Sequence, residues 1–325
     1  MNSFEPLKPG DEIRVVAPAQ SRRHGLDRQH QRAQERLESL GYKVTFGKFT
    51  NSVFHQGTAK AIDRASDLND AYRDKNVKVI MAMQGGWSTN EVLPYIDWGL
   101  VKNNPKPLIG FSDITVLVNA IYAKTGVVGY LGPNYHTVGS MLEWRFTFEN
   151  LAATLRQEPD RKFVKSKFWR VWSDKKRRQT KPWKALQTGE ASAILVGGNL
   201  GSFYLLQGTE YQPSFDAKFI LAIEDDDEAG KYTVREFSRR FESILQLPNV
   251  RKNLQGVIIG RFQPGGKVSQ FDIESIVASK HLGDIPVISG VDFGHTLPLL
   301  TLPIGGKITM SVTEKVVSLI AGDSK

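Results

Sequence analysis

The chain contains no cysteine among its 325 residues. Disulfides, thiolate metal sites and a cysteine nucleophile are therefore excluded. No apolar stretch reaches the ~18 residues that a membrane-spanning helix requires. The opening residues Met1-Asn-Ser-Phe-Glu-Pro-Leu-Lys lack the basic-then-apolar order of a secretory signal. These absences lead us to expect a soluble, cytoplasmic protein with no membrane partner. Neither a His-Glu-x-x-His run nor the spacing of a calcium loop occurs, so no resident metal is expected. Internal repeats and low-complexity tails are also missing.

What is present suits a folded enzyme-sized chain. A hydrophobic fraction of 40% supplies a substantial core, and a charged fraction of 24% argues against disorder. The length fits one large domain or two of ordinary size. The net charge of +9 raises the question of nucleic acid. Lys and Arg are interleaved with acids, however, the one dense run is Lys175-Lys-Arg-Arg178, and no nucleic-acid-binding motif accompanies it. No nucleic-acid partner is expected.

In the first half, strand-like runs at Ile13–Val16, Lys43–Phe46 and Val77–Met83 alternate with helical spacing over Asp27–Leu40 and Thr58–Tyr72. This βαβα order predicts a parallel sheet covered by helices on both faces, with functional groups beyond the carboxyl ends of the strands. A helix over Leu142–Leu155 closes a first domain, assigned to residues 1–156. Residues 157–186 are polar, basic and dotted with Trp169, Trp172 and Trp183; they read as an irregular linker or flap. Residues 187–325 resume with Ala193–Val196, Lys218–Glu224, an amphipathic helix over Tyr232–Leu247, Gly256–Gly260 and a helix near Ile273–Ser279. They form a second α/β domain.

The chemistry centres on Lys106-Pro-Leu-Ile-Gly-Phe-Ser-Asp-Ile. Leu108 and Ile109 end a strand, Gly110 permits a sharp bend, and apolar residues from Ile114 onward recur at helical spacing. Ser112 thus sits on a strand-to-helix turn beside unpaired helix N–H groups, the geometry of a nucleophile elbow. The second glycine usual in that motif is replaced by Ile114. Glu224 ends the apolar run Phe219–Ile223 and heads an acidic stretch, Asp225-Asp-Asp-Glu228. Among the six histidines, His295 lies in a Gly- and Pro-bounded loop that suits a general base; His136, after Gly132-Pro133, is the alternative. The order Ser112, Glu224, His295 matches one arrangement of acyl-transfer triads. The backbone N–H groups of Gly86 and Asp113 are the candidate oxyanion donors.

Further short stretches carry a resemblance. They are Pro9-Gly-Asp with Val16-Ala-Pro18, Ala65-Ser-Asp-Leu68, Gly85-Gly86, Leu93-Pro-Tyr-Ile-Asp97, Gly110-Phe-Ser-Asp113 and Gly132-Pro133. Gly197-Gly-Asn-Leu200, Ile223-Glu-Asp225, Gly294-His-Thr296 and Leu302-Pro-Ile-Gly305 continue the series. In this order, across nearly the whole chain, they resemble peptidase family S66, the LD-carboxypeptidases and related microcin C self-immunity proteins. The resemblance implies a serine hydrolase with the triad Ser112, Glu224 and His295, and an oxyanion hole at Gly86 and Asp113. It also implies a Rossmann-like N-terminal domain, a β-rich α/β C-terminal domain holding the acid and base, no cofactor, and commonly a homodimer.

The substrate implied is either a small murein tetrapeptide, cut before its terminal D-Ala, or an aminoacyl-nucleotide amide. Substrate-contact candidates are Gly85, Trp172, Trp183, Asn199 and Glu228. Trp172 and Trp183 resemble the nucleobase-holding loop of the immunity branch, and an indole can stack on a base; the basic run could meet phosphate. Anchoring of the loop by its aromatics is the competing reading. Against the immunity branch, the stretch after Glu224 is acidic where that branch can carry a basic residue, which favours an amine-bearing substrate. A non-catalytic nucleotide- or anion-binding module is the alternative function.

Overall fold

The computed structural model of the chain describes residues 4–22 and 25–322. In the first half, β1 (Glu12–Val16), α1 (Asp27–Glu38), β2 (Lys43–Phe46), α2 (Ala61–Arg73), β3 (Val77–Ala82) and α3 (Trp98–Asn103) come first. They are followed by β4 (Leu108–Gly110), α4 (Ile114–Thr125), β5 (Gly129–Leu131), α5 (Tyr135–Val138) and α6 (Trp144–Leu155). The middle of the chain forms β6 (Arg161–Phe163), β7 (Phe168–Val171), β8 (Asp174–Gln179), β9 (Lys184–Gln187), β10 (Gly189–Asn199) and α7 (Leu200–Tyr204). After β11 (Phe219–Glu224) come α8 (Thr233–Leu245), α9 (Val250–Asn253), β12 (Leu254–Gly260) and α10 (Gln270–Ser279). The chain closes with β13 (Val287–Val291), β14 (Leu302–Ile304), β15 (Lys307–Val312) and β16 (Val317–Ala321).

Two sheets result. The first has six strands in the order β14-β5-β4-β3-β1-β2, all parallel except β14, which pairs antiparallel with β5. The second has eight strands in the order β6-β16-β15-β10-β11-β12-β13-β9. Its central strands β10 to β13 are parallel, and antiparallel strands flank them on both sides. The expected parallel-sheet N-terminal region and β-rich second region are both present. Strand β14 lies late in the chain yet belongs to the first sheet, so residues 302–304 cross back over the interdomain junction.

Helix α4 joins the sheets. Every residue from Ile114 to Ile121 is buried, so the first two turns of this helix have no solvated face. One face packs on β4 and β5 and another on β10. A single apolar cluster accordingly runs from Leu108, Leu117 and Leu131 through Leu195 and Ile220 to Ile258. Asn119, inside the helix, behaves like a strand residue: its Nδ2 donates to the Gly197 carbonyl (2.8 Å) and its Oδ1 accepts from the Gly197 N–H (3.0 Å). One turn earlier, the Asn199 N–H donates to the Thr115 hydroxyl at 3.0 Å.

Residues 157–186 differ from the expected irregular segment. Strand β6 pairs with β16 and β9 with β13, while β7 and β8 form a hairpin of their own. The hairpin is strapped down twice. Arg170 and Leu297 exchange backbone hydrogen bonds at 2.8 and 2.9 Å, and the Arg170 and Arg177 side chains both donate to Glu143, at 3.0 and 2.8 Å. These strands are too short for a periodicity signal, and every partner but the hairpin's own lies far away in sequence.

Replacing Asn119 with Leu keeps the volume but strands a buried N–H and a buried carbonyl of Gly197. The expected loss is about 2–5 kcal/mol, read as a lower urea midpoint with an unchanged slope. A variant as stable as the parent protein would show that this junction does not hold the sheets together.

Candidate active site

The carboxyl ends of β3, β4, β10 and β11 and the loop after β13 converge at the junction of the two sheets. Ser112 follows β4 with φ at +64°, a left-handed conformation that costs a non-glycine residue on the order of 1–3 kcal/mol. Gly110 makes the bend possible, because a side chain there would lie 2.8 Å from both Asn134 Oδ1 and Ile114 Cγ2. Gly85, after β3, closes on the serine from the other side. A methyl group at Gly85 would sit 2.9 Å from Ser112 Cβ and 3.0 Å from its Oγ.

Glu224 and His295 complete a line. His295 Nε2 lies 2.9 Å from Ser112 Oγ, and His295 Nδ1 lies 2.8 Å from Glu224 Oε2. The Glu224 side chain is buried and that of His295 nearly so, with 2% and 16% exposure. Gly294, at φ +99°, leaves the room that the Glu224 carboxylate occupies. The edge of Phe111 packs against the imidazole with ring centres 5.5 Å apart.

The histidine loop is held by a residue that sequence reasoning missed. Asp292, fully buried, accepts from Ser166 Oγ (2.5 Å), Arg261 Nη2 (2.8 Å) and Trp183 Nε1 (3.0 Å). Trp183 is thus a buried anchor for the loop carrying His295, and no substrate contact is available to its indole N–H while Asp292 holds it. Asp292 shares the Gly- and Pro-bounded loop with His295, but its partners lie 31 to 126 residues away, beyond the reach of local pattern.

The remaining candidates divide. The N–H groups of Gly86 and Asp113 have no hydrogen-bond partner among the described residues, and both flank Ser112. The Asp113 side chain turns inward, accepting from the Thr89 N–H (2.9 Å) and hydroxyl (2.7 Å). Burial raises its pKa, a trend only partly offset by those Thr89 bonds. Asn199 is buried; its Oδ1 caps α7 through the Ser202 N–H at 2.9 Å and its Nδ2 reaches Asp226 at 3.3 Å. Trp172, at the tip of the β7–β8 hairpin, is 39% exposed and leans on His136 with ring centres 5.7 Å apart. His136 is bonded to Gln29 and lies outside the serine–histidine–glutamate line. The side chain of Lys175 lies outside the described residues. The two arginines of the basic run are engaged within the protein, Arg177 with Glu143 and Arg178 with Asp174.

The acidic stretch after Glu224 is likewise tied down. Asp225 is buried and pairs with Arg240 at 3.3 Å. Asp226 accepts from Asn199 and from the Glu228 N–H (2.9 Å). Asp227 packs against Gly265. Glu228 accepts the indole N–H of Trp87 at 2.9 and 3.2 Å. Trp87 is not among the residues that the sequence marks as candidates, although an aromatic residue directly after Gly85-Gly86 is a visible signal.

These charges set the protonation of the site. Burial by itself would lower the His295 pKa; the Glu224 carboxylate, through its charge and hydrogen bond, and the charges of Asp226 and Asp225 outweigh it and push the imidazole up to about 9. Burial, reinforced by Asp226 and Glu224, pushes Asp225 up to about 7 against the pull of Arg240. Among the described residues no group of three or more His, Asp or Glu could hold a metal ion. Among the same residues, no helix is long and apolar enough to cross a membrane.

The chain is similar to known proteins over nearly its whole length. The family models described as LD-carboxypeptidase N-terminal domain and C-terminal domain match residues 13–132 and 192–310. A putative carboxypeptidase of Treponema pallidum is 38% identical over 323 residues, covering 96% of this chain and 93% of its own. The crystal structure of an MccF-like protein from Bacillus anthracis superposes with a TM-score of 0.94 at 34% identity, covering 98% of each chain. The structure of MccF in complex with glutamyl sulfamoyl guanosine does so at 0.86 and 26% identity, covering 99% of this chain and 98% of that one.

A histidine whose pKa is raised on folding contributes stability that is complete below its unfolded value near 6.5 and is lost as pH rises through about 9. Glu224→Gln removes the carboxylate that does most to hold the imidazolium, so His295 should then titrate well below its value in the parent protein. An NMR pH titration of the imidazole checks both; a His295 pKa at or below 6.5 in the parent protein would refute the charge balance described.

Proposed function

The chain belongs to the LD-carboxypeptidase family S66, and on that premise we propose that it is a serine hydrolase cleaving an amide bond next to a terminal group. The observation that carries this reading is the continuous line from Ser112 Oγ to His295 Nε2 and from His295 Nδ1 to Glu224, at 2.9 and 2.8 Å. His295 accepts the Ser112 proton as Oγ attacks the carbonyl carbon. Glu224 fixes the imidazole with Nδ1 protonated and stabilises the imidazolium that forms. The N–H groups of Gly86 and Asp113 meet the oxyanion. His295 then returns its proton to the leaving amine, and water, activated by the same histidine, releases the acyl group from Ser112. For this cycle His295 must be neutral at the start, so activity rises with pH through the neutral range towards pH 9.

The loop after Glu224 supports the carboxypeptidase branch as the first reading of substrate. Its carboxylates give that wall of the site a negative field, which favours an amine-bearing peptide such as a murein tetrapeptide over an acidic aminoacyl group. Two observations favour the second reading, an aminoacyl-nucleotide amide: Trp172 is partly exposed on a strapped hairpin, and MccF, which this chain resembles, binds glutamyl sulfamoyl guanosine.

Purified protein incubated separately with a murein tetrapeptide and with an aspartyl-nucleotide amide, with products read by mass spectrometry, is expected to release D-Ala from the first. Nucleotide release without D-Ala would transfer the assignment to the second reading. Ser112→Ala should lower turnover by about 10⁴-fold or more with the fold retained. Gly85→Ala, which crowds Ser112 by a methyl group, should cost about 10²-fold. An active Ser112→Ala protein would refute the mechanism.

A further inference from the structure

The proposed chemistry uses every charged group in the line but leaves one exposed aromatic beside it unassigned. Trp87 follows the two glycines that flank the nucleophile. Its neighbours on both sides are clamped: the Gly85 carbonyl accepts from the Gln20 N–H at 3.2 Å, and the Ser88 carbonyl and hydroxyl accept from Arg64 at 3.0 and 3.1 Å. Thr89 is gripped by Asp113 through its N–H and its hydroxyl. Arg64 is itself buried, and further bonds to the Pro18 carbonyl and Glu91 fix it at 2.7 and 2.5 Å. On this rigid pedestal Trp87 is 59% exposed. With ~3.8 Å between successive Cα atoms, its Cα lies no more than about 8 Å from that of Gly85, which touches Ser112.

An apolar ring held out into solvent by a buried arginine and a buried aspartate is an arrangement that packing does not require. Among the described residues, its one directional contact reaches across the junction. The indole N–H donates to Glu228, which sits four residues beyond Glu224 and is braced by its own N–H on Asp226. The loop that supplies the candidate oxyanion donor and the loop that supplies the triad acid are thereby linked at their outer ends.

We propose that Trp87 is a specificity-determining residue, its indole forming a wall of the entrance to Ser112 against which the substrate packs, and that Glu228 is its positioning residue rather than a ligand for substrate charge. The inference rests on the serine-hydrolase reading for its kinetic arms. The ligand chemistry it implies is an apolar or planar surface beside the scissile amide, since a flat indole offers area and dispersion rather than charge.

Kinetics on whichever of the two amides is cleaved test it. Trp87→Ala should raise KM by about 10-fold with kcat within about threefold. Trp87→Phe, which keeps a ring but loses the N–H, and Glu228→Ala should each raise KM by about threefold, and the double variant should be no worse than either alone. Glu228→Gln, whose amide oxygen still accepts the indole N–H, should recover much of the loss seen in Glu228→Ala. A Trp87→Ala protein with KM within twofold of the parent overturns the proposal. So does a Glu228→Gln protein as impaired as Glu228→Ala, because the charge itself would then bind substrate. The Trp87 indole ¹⁵N–¹H resonance, observed without substrate, should move on Glu228→Ala; an unmoved resonance overturns the positioning role even if no hydrolysis of either amide is found, a result that would count separately against the hydrolase reading.

Discussion

Ser112 and His295 rise from different sheets, so the site exists only because α4 is clamped between them. The helix that begins two residues after Ser112 is buried along its first two turns and presses on β10 of the second sheet. At the point of contact Asn119 supplies the N–H and carbonyl partners that a neighbouring strand would have supplied to Gly197. An unpaired buried backbone group costs on the order of 1–3 kcal/mol, and here one side chain satisfies two. Thr115 does the same for the Asn199 N–H one turn nearer the site. The seam fixes the axial position of α4 against β10, and β10 fixes β11, whose end carries Glu224. Hydrogen-bond distances between groups 183 residues apart follow from that chain of buried contacts.

Electrostatics is the second constraint. Five successive carboxylates from Glu224 to Glu228 would repel one another if left free. The fold disperses them: Asp225 to Arg240, Asp226 to Asn199, Glu228 to Trp87. Glu224 alone turns to the histidine. The charge that remains still acts on His295, raising its affinity for a proton in spite of burial. On the proposed mechanism the same field would stabilise the imidazolium formed when Ser112 attacks.

Much of this is legible in the residues, and what is not has a physical reason. The strand-to-helix turn at Ser112 and the parallel order of the first sheet are local patterns, and the helices over Asp27–Glu38, Ala61–Arg73 and Thr233–Leu245 fall within two or three residues of their expected ends. Ile114, in place of the usual glycine, is accommodated because it points into the core, where it meets Gly110. The strands of residues 157–186 escape sequence reading because strands of three to six residues carry too little periodicity. Trp183 reads as a substrate contact because an indole in a basic loop looks the same on paper whether it faces a ligand or Asp292. Burial of Asp292 and the pairing of Glu228 with Trp87 are products of tertiary contact, and no spacing rule anticipates them.

We propose that Ser112 is a nucleophile made reactive by His295 and Glu224 across the junction, and covalent labelling with a fluorophosphonate, followed by peptide mass spectrometry, tests this. A single adduct on Ser112 is expected in the folded protein, strongly diminished by His295→Ala and lost on denaturation. Labelling at another residue, or labelling of Ser112 at an undiminished rate without His295, would contradict it.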